Sequence, residues 1–283
     1  MVLNTAEWIT AIEIGLIYAI VAIGIYLTFR TINFPDLTCD GSFVFGAAVS
    51  AILIEEGYTP AISILWAIVA GGVAGFCTGI LHILCRIEDL LAGIIVAFML
   101  YSVNLRVMGS SPNITFVNAC TIFSDGNALI KTAVIVSILA VLLSYVLNTD
   151  WGLGLRAVGQ NKSFASACGV NVKAMTIVGL TVSNALIGLC GAIFAQYQGF
   201  CDVSQGAGCL VIGLASVIIG EKVVRARNVA WGVVACVVGS VLYRAFIACA
   251  IHSDAFGLKT QDLNLITGLM IVAMMAARKK CCN

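Results

Sequence analysis

Apolar residues run from Trp8 to Ala277 in long blocks, divided by short polar breaks. The blocks fall at about 8–28, 37–54, 61–85, 89–108, 128–147, 175–199, 207–220, 229–251 and 263–277. Several reach the roughly 20 apolar residues that a helix needs to cross about 30 Å of hydrocarbon. None alternates in polarity as a barrel strand would over about ten residues. Lipid offers the backbone no hydrogen-bond partners, so each block must satisfy itself as a helix. The pattern predicts an all-α, polytopic membrane protein of about nine membrane segments, with residues 1–283 forming a single transmembrane domain.

Composition agrees with the pattern. The chain is 61% hydrophobic and 10% charged, against roughly 25% charge in soluble domains. A net charge of +1 gives no reason to expect nucleic-acid binding. The first block lacks a basic flank and a small-residue cleavage site, so it reads as a retained span rather than a signal peptide. An odd number of spans places the termini on opposite sides. With the C-terminus inside, Arg30, Arg86, Arg156, Lys162, Lys173, Lys222, Arg225, Arg227, Arg278, Lys279 and Lys280 are internal. Only Arg106, Lys131, Arg244 and Lys259 are then external. Positive charge favours the cytoplasm, so the N-terminus is expected outside. The 12 cysteines are scattered, with no Cys-x-x-Cys and no metal-ligand spacing, and read as small packing residues.

Two blocks differ from the rest. One opens with Asn33-Phe34-Pro35-Asp36-Leu37-Thr38-Cys39-Asp40-Gly41-Ser42, the other follows Asp202-Val203-Ser204-Gln205-Gly206. Both carry Gly-x-x-x-x-Gly-x-Ala: Gly41, Gly46, Ala48 and Gly208, Gly213, Ala215. The preceding blocks echo each other at Gly15, Leu16, Gly24 and Gly179, Leu180, Gly188. The expected topology runs these units in opposite directions. That is an inverted repeat with interrupted helices, an arrangement that marks a transport path. Gly71, Gly75 and Gly79 read as a close helix–helix contact.

Pro35 stops a helix from continuing through it. Asp36, Thr38 and Asp40 then stand where side-chain oxygens can cap a new helix. Two readings stay open: caps in a cytoplasmic loop, or the polar start of a broken helix that lines a route. Tyr101 and Asn104 share one helix face. Asn184 lies mid-span, with Gln196 and Gln198 near the outer end. Polar residues so placed are more often interhelical hydrogen-bonding groups than ligands. His82 and His252 suggest no site, and Glu13 and Arg244 have no evident partner in the sequence.

The longest polar stretch, Asn148 to Lys173, is too polar for lipid. Gly159 is expected to break the chain there. Asn161 or Ser163 can cap a short helix over 163–168, and Gly169 can end it. A helix so short needs a surface to lean on. The chain has no phosphate-binding Gly-x-x-x-x-Gly-Lys-Ser/Thr loop and no hydrolase signature, so enzyme activity is not expected.

The run Arg156-Ala157-Val158-Gly159-Gln160-Asn161, followed by Ala167-Cys168-Gly169-Val170-Asn171-Val172, resembles the cytoplasmic coupling loop of bacterial ABC importer permeases of the branched-chain amino acid type. Tyr26 to Thr38, with Asp40-Gly41-Ser42-Phe43, Leu90 to Ile94 and Tyr101 to Gly109, is similar to the subgroup of tryptophan/tyrosine transport permeases. The resemblance implies a permease subunit of an ATP-driven importer for a small polar solute such as an aromatic amino acid, in the bacterial inner membrane. It implies no cofactor in this chain, with ATP and Mg bound by a cytoplasmic ATPase dimer. It also implies an extracytoplasmic substrate-binding protein, surrounding membrane lipid and a second permease copy in a homodimer. Residues 148–174 would be the coupling loop, with Arg156, Asn161, Phe164, Ala165, Cys168 and Gly169 meeting the ATPase. Asn33, Asp36, Thr38, Asp40 and Ser42 match the interrupted helix and, with Tyr101, Asn104 and Asn184, are the candidate substrate pathway. The alternatives are an ion-coupled secondary transporter with Asp36 and Asp40 as ion ligands, and a non-catalytic membrane scaffold.

Overall fold

Among the described residues, helices form where the apolar blocks stood, and polar or glycine-containing breaks end them. The structure is a computed structural model that describes residues 5–116, 119–124, 126–224 and 228–252, together with residue 268. The long helices are α1 (Thr5–Ile25), α2 (Thr38–Glu55), α3 (Pro60–Leu84), α4 (Asp89–Val107) and α5 (Ala128–Asn148). Two short ones follow, α6 (Asp150–Gln160) and α7 (Lys162–Ala167), then α8 (Val172–Gln198), α9 (Cys209–Val223) and α10 (Val229–His252). Eight helical segments among the described residues are long and apolar enough to cross a membrane. The ninth expected block, 263–277, lies outside the described residues apart from residue 268. A strand pair completes the fold: β1 (Asn113–Thr115) runs antiparallel to β2 (Phe200–Asp202), with Ile114 opposite Cys201.

The central element is α8, 67% buried over its span, whereas α5 is 17% buried and lies at the periphery. Packing follows a pseudo-twofold scheme. Helix α2 packs on α3 and α8, as α9 packs on α10 and α1; α3 packs on α8, as α10 packs on α1. The α1–α8 contact is its own image. The connections repeat as well. Asn33 ends the first helix in the left-handed region at φ 58°, and Gly199 ends α8 at φ 75°. Three residues after each stands an aspartate whose Oδ1 accepts a backbone N–H two residues on: Thr38 at 2.8 Å from Asp36, Ser204 at 2.7 Å from Asp202. The inverted repeat expected from glycine spacing is thus visible in turn chemistry.

Glycines let α8 approach its neighbours backbone to backbone. A Cβ on Gly46 would run into the carbonyl oxygen of Gly188. One on Gly71 or Gly75 would strike the carbonyl of Asn184 or Leu180. At Gly72 the nearest atoms would lie 3.7 Å away. Gly75→Ala is therefore expected to cost about 1–3 kcal/mol through overpacking. Gly72→Ala should be neutral or gain up to about 1 kcal/mol from helix propensity. Thermal melts of the purified variants check the contrast, which equal melting points would refute.

One local expectation is corrected. Gly159 does not break the chain: α6 runs through it to Gln160, and the break falls at Asn161, where the backbone is extended at φ −157°. The reason is packing, because a Cβ at residue 159 would collide with the carbonyl of Thr31. This glycine seats α6 under the end of the first span.

Candidate functional site

The first span does not end as an ordinary α-helix. Tyr26–Ile32 widens into a π-helical turn, a geometry that is rare and concentrates at functional positions. Thr28 and Thr31 return their hydroxyls to the carbonyls of Ile25 and Tyr26. Asn33 then reverses the chain, Pro35 denies it an N–H, and Asp36 restarts it by accepting from Thr38. This is the interrupted helix that the Phe-Pro-Asp segment predicts.

Four candidate pathway residues form one buried network. Asn184, near the midpoint of α8, donates to Asp36 Oδ2 at 2.6 Å and to the Leu180 carbonyl at 3.0 Å. Ser42 donates to Asn184 Oδ1 at 2.7 Å. Thr38 shares a 2.7 Å hydroxyl–hydroxyl bond with Thr78 on α3. Asp36 is only 2% exposed, and Thr38, Ser42 and Asn184 are wholly buried. Asp36 therefore does not sit in a solvated loop. The network clamps the start of α2 to α8 and α3. Thr78 had no signal in the sequence, because a lone threonine in an apolar block reads as packing.

Asp40 has a different position. Its carboxylate accepts from the backbone N–H groups of Leu210 at 2.9 Å and Gly208 at 3.3 Å. It stands in the first turn of α2 yet satisfies free donors at the start of α9, where a negative charge also suits the helix dipole. Sequence reasoning placed Asp40 as a cap of its own helix; the helix it caps is 168 residues on. From this junction the two helices diverge. Ala47, Ala51 and Ile54 of α2 lead to the cluster around Phe116 and Cys201 beside the strand pair. Helix α9 leads the other way, to an ion pair of 2.8 Å between Glu221 and Arg30.

Two adjoining cavities open at the junction. One, of about 260 Å³, lies among Asp40, Gly41, Tyr101, Asn104, Ser204 and Ala207. The other, of about 430 Å³, is more apolar, with Leu37, Ile94, Ala97, Phe98 and Tyr101 around Asp40. Asp40, Ala97 and Tyr101 border both. Asn104 donates to the Gly41 carbonyl at 3.3 Å, but its Oδ1 is buried without a hydrogen-bond partner. Such an orphaned acceptor costs about 1–3 kcal/mol. Asn33 is apart from this group. It lies in a third cavity of about 280 Å³ with Tyr26, Arg30, Arg156 and Gln160, below the π-helical turn.

The polar loop folds as two short helices at the Arg30 end. Asn161 Oδ1 accepts from Phe164 N at 3.0 Å and caps α7, while Gly169 follows it at φ 85°. Phe164 is 64% exposed; Asn161, Cys168 and Gly169 are exposed and Arg156 is half-buried. Ala165 points the other way and is fully buried as α7 leans on α6 and α8. It is therefore not available on the loop's outer surface. Lys162 reaches Asp89 at 3.9 Å, and Asp89 meets His82 at 3.1 Å. The His82 ring stacks edge-on against Phe34, 5.2 Å between centroids, so one side-chain chain joins α7 to the interrupted turn. Glu13 and Arg244 also have partners: Tyr197 donates to Glu13 at 2.7 Å, and Arg244 lies 4.4 Å over the Tyr18 ring.

Comparisons with known proteins agree with this architecture. Residues 9–276 match the family described as branched-chain amino acid transport system / permease component. A tyrosine transport system permease protein of Clostridioides difficile is 39% identical over 263 residues, covering 93% of this chain and 88% of that one. An uncharacterized protein of Rickettsia prowazekii is 34% identical over 279 residues, covering 96% and 98%. An ABC transporter solved in an inward-facing conformation shares the fold at a TM-score of 0.54 and 15% identity, over 96% of this chain and 85% of that one. The chain is a multi-pass membrane protein, and it belongs to the permease family of branched-chain amino acid transport systems, the membrane component of ABC transporters.

Proposed function

We propose that the chain is the membrane subunit of an ATP-driven importer that works as a homodimer and carries an aromatic amino acid. The observation that carries this reading is the Asp40 junction, where two oppositely directed helix starts meet beside a cavity. A carboxylate bordering a cavity within a membrane span cannot face lipid without cost. A second copy placed against α4 and the helix starts covers it and leaves a pathway between subunits. The named function of the Clostridioides difficile relative supports tyrosine or a similar solute.

Orientation follows from charge. Arg30, Arg156, Lys162 and Lys222 gather at the end that carries α6 and α7, which puts that end in the cytoplasm. The N-terminus is then outside, and a ninth crossing at 263–277 would bring the C-terminus inside. A cytoplasmic ATPase dimer, binding ATP and Mg, docks on α7. A substrate-binding protein delivers solute at the strand-pair end. Closure of the ATPases moves α6 and α7. Gly159, seated against Thr31, and the Lys162–Asp89–His82–Phe34 chain pass that motion to the interrupted turn. Asp36 already holds two strong donors, so it acts as a fixed anchor rather than an ion ligand.

The test is reconstitution. The chain, reconstituted with a cognate ATPase and binding protein, should take up tyrosine only with ATP present. Uptake by the chain alone, driven by a sodium or proton gradient, would establish the ion-coupled alternative instead.

A further inference from the structure

The polar cavity at the Asp40 junction has an unbalanced chemistry. It is lined by the Asp40 carboxylate and by Asn104, whose amide oxygen has no partner. Gln205 lies between two lining residues, and its Oε1 is buried and unpaired as well. Among the described lining residues there is no lysine or arginine. Apart from the Tyr101 hydroxyl, which borders both cavities, the donors in reach are already engaged: the Asn104 amide donates to Gly41, Gln205 donates to Gln198, and the Ser204 hydroxyl bonds Asp202. Each Asp40 oxygen holds one backbone N–H and keeps a lone pair free. Acceptors therefore outnumber donors, and a buried acceptor is normally paired. The missing partner is rich in N–H groups and positively charged. Beside it, the larger cavity offers Leu37, Ile94, Phe98 and Tyr101, a surface suited to an aromatic ring.

We propose that Asn104 is a specificity-determining residue that accepts from the solute's ammonium group, which it shares with the Asp40 carboxylate while the aromatic ring occupies the adjoining apolar cavity. This rests on the importer reading above and adds to it the part of the solute that is recognised. Recognition by two acceptors selects a primary amine and rejects the same skeleton without one. A site built to hydrogen-bond a polar group discriminates strongly, because the analogue leaves that site unpaired.

The experiment uses the permease–ATPase complex in nanodiscs, with thermal stabilisation read in the presence of L-tyrosine, tyramine or 3-(4-hydroxyphenyl)propanoate. ATP-driven tyrosine uptake with the binding protein is measured on the same preparations. Tyrosine and tyramine should stabilise the complex, and the deaminated acid should not. Asn104→Leu should weaken the tyrosine response roughly tenfold to a hundredfold, the loss expected for a hydrogen bond to a charged group. Asn104→Asp keeps the acceptor but loses the bond to Gly41, so a retained tyrosine response alongside a lower melting point separates recognition from folding. Equal stabilisation by the deaminated acid overturns the proposal. So does an unchanged amine preference in Asn104→Leu, or stabilisation by sodium in place of the amines. If the parent complex shows no ATP-driven uptake of any solute, the importer reading fails. If it transports but ignores the amine, only the assignment of Asn104 fails.

Discussion

Asn184→Leu will lower the stability of the folded protein by about 3 kcal/mol or more. The substitution keeps the number and branching of side-chain heavy atoms but removes the donor to Asp36 and the acceptor for Ser42 at once. Two buried polar groups are then orphaned, each at about 1–3 kcal/mol. Ser42→Ala orphans one group, the Asn184 Oδ1, and should cost about 1–3 kcal/mol, less than Asn184→Leu. The exchanged pair, Asp36→Asn with Asn184→Asp, preserves donor and acceptor count and should recover much of the loss. Melting curves in one detergent compare all three. Should Asn184→Leu melt with the parent, the network is not what holds α2 to α8.

Phe164→Asp will uncouple ATP hydrolysis from uptake while leaving the membrane fold intact. Phe164 is 64% exposed, so the charge stays in water until a partner docks. Burying it there removes a contact of the kind that costs about 2 kcal/mol or more in an interface, or roughly thirtyfold in binding. Uptake should fall by about that factor, with unchanged protein level and melting. Ala165→Asp gives the complementary result. Its side chain is fully buried, so the charge enters the core and protein level falls instead. Normal uptake in Phe164→Asp would remove α7 from the docking surface.

Much of this architecture was legible from the chain. Apolar blocks of the right length can only be helices in lipid, so eight described spans fall where they were expected, with α9 displaced to Cys209–Val223. Proline, asparagine and aspartate chemistry located the interruption at 33–37. The short helix before Gly169 was legible to within a residue from two candidate caps, Asn161 or Ser163, of which Asn161 is the one used. Less legible were partnerships across long separations. Nothing near Asp40 announces that its carboxylate serves Gly208 and Leu210. Nothing near Thr78 points to Thr38. Gly159 was misread because glycine both breaks helices and permits close approach, and only the neighbour at Thr31 decides which. The candidate site divided for the same reason. Asp36, Thr38, Ser42 and Asn184 look alike in sequence to Asp40 and Asn104, yet the first four are sealed inside the protein and the last two border a cavity.

The glycine-mediated contacts carry a mechanical consequence. Where backbones touch, as between α8 and α2 or α3, no side chain is left to slide or repack. The trio α2–α3–α8 thus behaves as one stiff wedge, and its image α1–α9–α10 has Gly220 and Gly239 pressed against opposing carbonyls in the same way. Compliance is left to the boundary between wedges. There the joints are side chains: the Asp40 carboxylate holds the start of α9, and Ser183 and Cys190 of α8 donate to the Gly24 and Ile17 carbonyls of α1.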